Sequence, residues 1–326
     1  MRCGATTTGY AEPMPDMTRR PLGGSGLEVS VVGLGANNFG RRVDLAGTRR
    51  VIDAALDVGI DFIDTADIYG NHGDSERFLG EVLAGRRDRV VLATKFGMDM
   101  RDGRGPRGSR EYIRQAIDAS LARLQTDAID FYWYHEPDGV TPISETLGEL
   151  NELVAAGKVR AIGASNFTAE QLLEADAAAR DAGLKPFTAV QNEYSLLSRE
   201  AEREVLPACE RLGIGFVPYF PLASGLLTGK YRPGEPGPAG ARLSRRDLIA
   251  TDEQFALVAA LTAYAGERGL ALTDVAIGAL LLHPAVSSVI AGATSAEQVV
   301  ANARAARWRA SEEDRAALET LLAAHG

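Results

Sequence analysis

Hydrophobic positions along this chain gather in short continuous runs. They are VSVVGLG (29–35), IDFID (60–64), RVVLATK (89–95), AIDFYWYH (128–135), VRAIGAS (159–165), FTAVQN (187–192), IGFVPY (214–219) and SSVIAG (287–292). A strand apolar on both faces is buried on both faces, which marks a parallel sheet covered by helices. Between the runs the apolar period lengthens to that of an amphipathic helix. Ile113, Ile117, Leu121 and Leu124 form one stripe, opened by Ser109. Leu147, Leu150 and Val154 form another, with Thr141 as cap, Pro142 at the first helical position and Gly157 as the stop. Thr168 and Gln171 have capping-box spacing, and Gly183 and Gly213 close two more helices. Eight strand-then-helix units predict an α/β fold, a (β/α)8 TIM barrel. A doubly wound open sheet is the structural alternative. Ahead of the first strand, RRPLGGSGLEVS (19–30) predicts a β-hairpin around Gly24, Ser25 and Gly26 that covers the barrel floor. Residues 311–324 predict an extra C-terminal helix.

A chain of 326 residues suggests two domains by length, yet barrels of this type reach about 250 residues or more as one. We expect a disordered tail at 1–17, with Met17 as a possible alternative start, and a single barrel domain at 18–326. The tail lacks the apolar stretch of a signal peptide. Segment 231–251 is rich in Pro and Gly and predicts an irregular loop or lid. Net charge is −9, with 45% apolar and 24% charged residues. That balance argues against a broad nucleic-acid or anionic-membrane surface. The two cysteines, Cys3 and Cys209, make no disulfide framework and suit a cytoplasmic location. No apolar stretch reaches the ~18–20 residues of a membrane span.

Several motifs fail on inspection. GRGPRG (103–108) has dinucleotide-fingerprint spacing, but Gly103 lies eight residues beyond Lys95, and Pro106 and two arginines sit inside it. SGLLTGKY (224–231) has the outline of a P-loop with one residue too few and Tyr231 where a metal-holding hydroxyl belongs. Its glycines and Lys230 still suit a phosphate. The four histidines, His72, His135, His283 and His325, show no metal-ligand spacing, so no metal is expected.

Chemistry in a barrel gathers where the strands end. There the runs close in polar residues: Asp64 with Tyr69 just beyond, Lys95, His135, Ser165-Asn166, Gln191-Asn192 and Tyr219. Taken singly each has an ordinary explanation, as a helix cap, a solvated ammonium or a packing tyrosine. Together they make an acid–base device. A tyrosine has a pKa near ~10 and needs help to give up its proton. A lysine ammonium beside the phenol lowers that pKa, and a carboxylate keeps the lysine charged. A histidine can donate to the substrate oxygen. The set protonates a carbonyl oxygen but holds no electrons, so a hydride-donating cofactor is implied.

At these residues the chain resembles the aldo-keto reductases, from about Arg19 to Ala306. GIDFIDTADIYG, SERFLGEVL, VLATKFG, SLARLQTDAIDFYWYHEPD, GKVRAIGASNF, QNEYSLLSR, PLASGLLTGKY and EQVVANA carry the likeness. The resemblance implies a barrel holding NADPH across its strand ends and reducing an aldehyde or ketone. It makes Tyr69 the general acid and Asp64, Lys95 and His135 its partners. It implies cofactor contacts from Ser165, Asn166 and Gln191 at the carboxamide, and from Tyr219 on the ring. Leu222, Ser224, Leu226 and Lys230 would serve at the pyrophosphate, with Gly225 among them in the cofactor-binding set. Gly292, Ala293, Thr294, Ser295, Gln298 and Asn302 would serve at the adenosine end, and Gly35, Asn37, Asp64, Phe220 and Pro221 also belong to the set. Many members carry Lys and Arg where this chain has Gly292 and Gln298, so NAD is the alternative cofactor, with Ser295 and Arg304 as substitute phosphate contacts. Two other readings share the site: a regulatory subunit that binds NADP and turns over slowly, and an NAD-dependent sugar dehydrogenase. Met98, Met100, Phe96 and Trp133 are candidates for an apolar substrate pocket or, equally, for core.

Overall fold

A computed structural model describes residues 17–233, 235, 237 and 250–325. Residues 1–16 of the expected tail and most of the expected lid lie outside them, whereas Met17 is half-buried and packs against the core. A two-stranded antiparallel hairpin, β1 (Arg19–Pro21) and β2 (Glu28–Ser30), precedes the barrel. Eight parallel strands follow: β3 (Val32–Gly35), β4 (Phe62–Asp64), β5 (Val91–Phe96), β6 (Ile129–Tyr134), β7 (Val159–Ser165), β8 (Ala189–Gln191), β9 (Gly215–Phe216) and β10 (Val289–Gly292). Their order is β10-β3-β4-β5-β6-β7-β8-β9. Backbone hydrogen bonds from Phe216 to Ala285, Ser287 to Phe216 and Ile290 to Pro218 join the two ends, so the sheet closes on itself. Around it run α1 (Leu45–Asp57), α2 (Tyr69–Val82), α3 (Arg110–Leu124), α4 (Ile143–Ala155), α5 (Ala169–Asp181), α6 (Val205–Leu212), α7 (Asp252–Glu267), α8 (Leu272–Leu280), α9 (Ala296–Ala305) and α10 (Glu312–His325). Among the described residues no single helix is long and apolar enough to cross a membrane.

Local chemistry accounts for most boundaries. Ser109 caps α3, and Thr168 and Gln171 form the full capping box of α5. Gly213 ends α6 in the left-handed conformation. Thr141 is not a cap: helix α4 starts at Ile143, and the Thr141 hydroxyl donates to Asp138 Oδ2 at 2.7 Å instead. The expected strand 29–35 is two strands. Ser30 divides them, because its hydroxyl donates to Val32 O and its amide donates to Asp61 Oδ1. That turns the chain from the hairpin into the barrel at Val31.

The core has two layers. Phe62, Ala93, Phe131, Trp133, Ala161, Ala189, Val217 and Ile290 fill the barrel, and Leu22, Leu27 and Val29 of the hairpin plug its floor. The second layer lies between strands and helices and includes Phe96, Tyr132 and Tyr134. The plug fits tightly at Gly23, whose φ is +51° and where a Cβ would lie 1.8 Å from Thr188 O. Gly23→Ala therefore forces the hairpin off the floor and should lower stability by about 1–3 kcal/mol, read by urea denaturation. An unchanged midpoint would mean that the hairpin adds nothing to the barrel.

Candidate active site

Side chains alternate along a strand, so a residue two positions beyond an interior one also points inward. Phe62, Ala93, Trp133 and Ala189 fill the barrel. Two residues on stand Asp64, Lys95, His135 and Gln191, all buried. The pleat alone lifts four polar groups from four strands into one mouth.

Lys95 is fully buried. Its Nζ donates to Asp64 Oδ2, to Thr65 O at 2.9 Å and to Tyr69 Oη at 3.4 Å. Asp64 Oδ1 accepts from Gln191 Nε2 at 3.1 Å. Burial works to lower the Lys95 pKa, but the Asp64 carboxylate and the Tyr69 oxygen outweigh it and raise it, so the ammonium stays charged. For Tyr69 burial is the largest influence and raises the pKa; Lys95 lowers it, as expected, and Asp64 raises it. The balance lies above the ordinary tyrosine value, so the phenol holds its proton at neutral pH. Lysine alone does not acidify it. His135 is kept neutral by burial and then by Lys95, which push its pKa well below the usual value. Its ring stands edge-on to Tyr69, with centroids 5.8 Å apart.

Tyr69 is placed by an uncommon backbone. Its amide donates to Ala66 O at 3.1 Å, which closes the expected turn through Ala66, Asp67 and Ile68. The next four residues, Gly70, Asn71, His72 and Gly73, all have positive φ. Left-handed conformations at Asn71 and His72 are unfavourable for L-residues and persist only where the surroundings enforce them. Here Asn71 Nδ2 donates to Gly40 O at 3.2 Å, and at Gly70 a Cβ would lie 2.4 Å from Phe39 O. The loops after β3 and β4 thus interlock backbone against backbone.

A ring of amides surrounds the acid–base group. Ser165 Oγ donates to Gln191 O at 2.8 Å, and Asn166 Nδ2 donates to His135 O at 2.9 Å. Tyr219 Oη donates to Asn166 Oδ1 at 2.8 Å, and the Tyr219 and Phe220 rings meet at 5.1 Å. Asn37 Oδ1 and Asn192 Oδ1 are buried without a hydrogen-bond partner. After β9, Phe220, Ala223, Ser224 and Gly225 have positive φ, followed by the exposed Lys230. The Ala223 and Gly225 amides donate to Phe220 O and Leu222 O, each at 2.8 Å, and so close tight turns ahead of the lysine. Pro221 and Leu226 of the same segment are buried and Leu222 is half-buried. Gly35 pairs with Gly292 across β3 and β10, and the Asn37 and Asn38 amides lie beside Gly292. Beyond it, Ala293 and Asn302 are buried, and Ser295 caps α9. Gln298 turns back to accept from Thr294 N at 2.8 Å. Arg304, at the end of α9, is exposed, with its Nε 3.5 Å from Asp274 Oδ1.

Of the proposed pocket residues, Phe96 and Trp133 are wholly buried core. Met100 lines a pocket of about 310 Å³ with Asp99, Asp102, Arg104, Arg107 and Tyr112, and Met98 is half-buried. Sequence reading missed the support behind the site. Buried Glu76 of α2 accepts from Thr94 Oγ1 and from Arg123 Nε, each at 2.6 Å. The signal was Thr94, which faces outward as Lys95 faces inward.

Similarity to known proteins agrees with this geometry. A probable voltage-gated potassium channel subunit beta from Oryza sativa subsp. japonica is 36% identical over 305 residues, 89% of this chain and 91% of its own. Its Arabidopsis thaliana counterpart matches at the same identity and extent. The uncharacterized oxidoreductase YrpG of Bacillus subtilis (strain 168) is 40% identical over 291 residues, 85% of this chain and 87% of its own. The aldo/keto reductase family, whose members generally use NAD(P)H, matches residues 31–323, and this chain belongs to it.

Proposed function

We propose that the protein is an NADP-dependent reductase that converts an aldehyde or ketone to an alcohol, with Tyr69 as proton donor. Family membership and the oxidoreductase relative support oxidoreduction in general. One observation carries the finer reading: the Tyr69 phenol lies 3.4 Å from Lys95 Nζ, a buried ammonium anchored on Asp64.

The residues present fit a dinucleotide. Asn37 and Asn192 carry orphaned buried amide oxygens, and the positive-φ segment after β9 leads to the exposed Lys230, whose ammonium suits a phosphate. Ser165, Asn166 and Gln191 would hold the carboxamide, Tyr219 the ring, and Ser224, Gly225 and Lys230 the pyrophosphate. Gly292 to Ser295 would meet the adenosine end, where the N-terminus of α9 favours a phosphate. When bound, NADPH supplies the hydride. The protein supplies the proton. Tyr69 Oη gives it to the carbonyl oxygen, and Lys95 stabilises the phenolate left behind. Asp64 keeps Lys95 charged and in place. Neutral His135 hydrogen-bonds the same substrate oxygen and orients it.

The test is oxidation of NADPH and of NADH, side by side, with one reactive aromatic aldehyde. Turnover with NADPH is the expected result. Turnover with NADH alone would remove the NADP assignment and favour the sugar-dehydrogenase direction. The two potassium-channel-subunit relatives support a second reading, a regulatory subunit that holds its cofactor and turns over slowly. Tight NADPH binding with release slower than any turnover would favour it.

A further inference from the structure

Two residues before Tyr69 stands Asp67, a carboxyl that the acid–base group does not use. It is 2% exposed. Its amide donates to Lys95 O at 3.1 Å, but its Oδ1 has no hydrogen-bond partner. The titratable groups that act on it come from every element packed around the turn: Glu76 on α2, Arg123 and Tyr112 on α3, Tyr132 on β6, Arg104 in the loop after β5, and Tyr69 itself. The Tyr112 and Tyr132 hydroxyls are also buried without a partner. Charge counting settles which groups can ionise. The two buried carboxyls, Asp67 and Glu76, have one half-buried guanidinium between them, and Arg123 is spent on Glu76 Oε2 at 2.6 Å. Arg104 is held by Asp102 at 2.7 Å and lies over the Tyr112 ring. A second buried carboxylate without its own cation takes up a proton instead.

We propose that Asp67 works as a neutral carboxylic acid that holds Tyr69 in its active electrostatic setting, and that its ionisation shuts proton transfer down. This rests on the reading of Tyr69 as proton donor. When Tyr69 gives up its proton it becomes a phenolate beside Asp64. A charged Asp67 adds a second carboxylate to the same neighbourhood, disfavours the phenolate and makes the phenol a weaker acid. The effect has the same sign in both directions of the reaction, because each passes through the phenolate. Burial first and Glu76 second push the Asp67 pKa up to about 8, so the switch falls just above neutrality. Asp67 is a positioning residue: it acts through Tyr69 and touches no reacting atom.

The experiment has two readouts that need no turnover. The first is the infrared spectrum of the full chain between about pH 6 and 10, wild type against Asp67→Asn. A carboxylic-acid C=O band present at neutral pH, lost near pH 8 and missing from the variant is expected; its absence at neutral pH overturns the proposal. The second is the ultraviolet titration of the Tyr69 phenolate, taken as each chain minus its Tyr69→Phe counterpart. Asp67→Asn should move it to lower pH, and an unmoved titration overturns the link to Tyr69. Asp67→Ser serves if the asparagine variant does not fold. If the wild type also turns over NADPH, its rate should fall several-fold as pH rises through about 8, and Asp67→Asn should abolish that fall. A chain with no turnover, but with the band and the phenolate shift, would defeat the reductase reading and leave the Asp67–Tyr69 coupling standing.

Discussion

Tyr69→Phe should lower aldehyde reduction by roughly 10²–10⁴-fold, the range that a positioned general acid contributes. The change removes one oxygen and little else. The ring can keep its edge-on packing against His135. Lys95 keeps Asp64 and Thr65 O as acceptors when the phenol is lost. The structural effect is therefore small and the kinetic one large. Loss should appear in kcat at saturating cofactor, while NADPH affinity, read by quenching of protein fluorescence, stays within about twofold. A variant with near-normal kcat would remove Tyr69 from the role of proton donor. A variant with equal loss of affinity would make Tyr69 a binding group instead.

The fold was legible because its signal is repeated. The eight apolar runs became the eight barrel strands; β7 fills its run, and the others are shorter than theirs. The run 214–219 keeps only Gly215–Phe216 as strand. Pro218, with no N–H, cannot continue a ladder. The gathering of Asp64, Tyr69, Lys95 and Gln191 was also legible, because a polar residue ending an apolar strand needs a reason to be there. What could not be read was everything set by which neighbour a side chain meets. Thr141 has the sequence of a cap and spends its hydroxyl on Asp138. Phe96 and Trp133 look like pocket walls, yet both are core, one behind the sheet and one inside the barrel. Asp67 looks like an ordinary turn residue until Glu76 of the next helix and Arg123, distant in sequence, arrive beside it. The left-handed turn after Tyr69 left only Gly70 and Gly73 as hints. Asn71 and His72 reveal it only through the loop they lock against.

The largest stability effect is expected at the buried pair beneath Tyr69. Lys95→Met removes the only ammonium against Asp64 among the described residues; Asp64 is 2% exposed and receives, among those residues, one further side-chain hydrogen bond, from Gln191. Stranding a buried carboxylate in this way destabilises a protein by about 3–5 kcal/mol. The double variant Asp64→Asn with Lys95→Met removes both charges and should recover much of that loss, since an amide and a thioether carry no net charge to strand. The excess of the single variant over the double, measured by urea denaturation near neutral pH, gives the coupling. The pH dependence has a fixed sign. The Lys95 pKa is raised in the folded chain, so the folded state holds that proton more tightly than the unfolded one. Its stabilisation is complete below the ordinary lysine value near ~10.4 and is lost as pH rises through the raised folded value. Wild-type stability should therefore fall in strongly alkaline solution, and the double variant should lack that part of the fall. If single and double variants are equally destabilised, Asp64 and Lys95 contribute through packing and not through charge. A lysine held by packing alone would lose the basis for its role in stabilising the Tyr69 phenolate, so the stability measurement also bears on the chemistry.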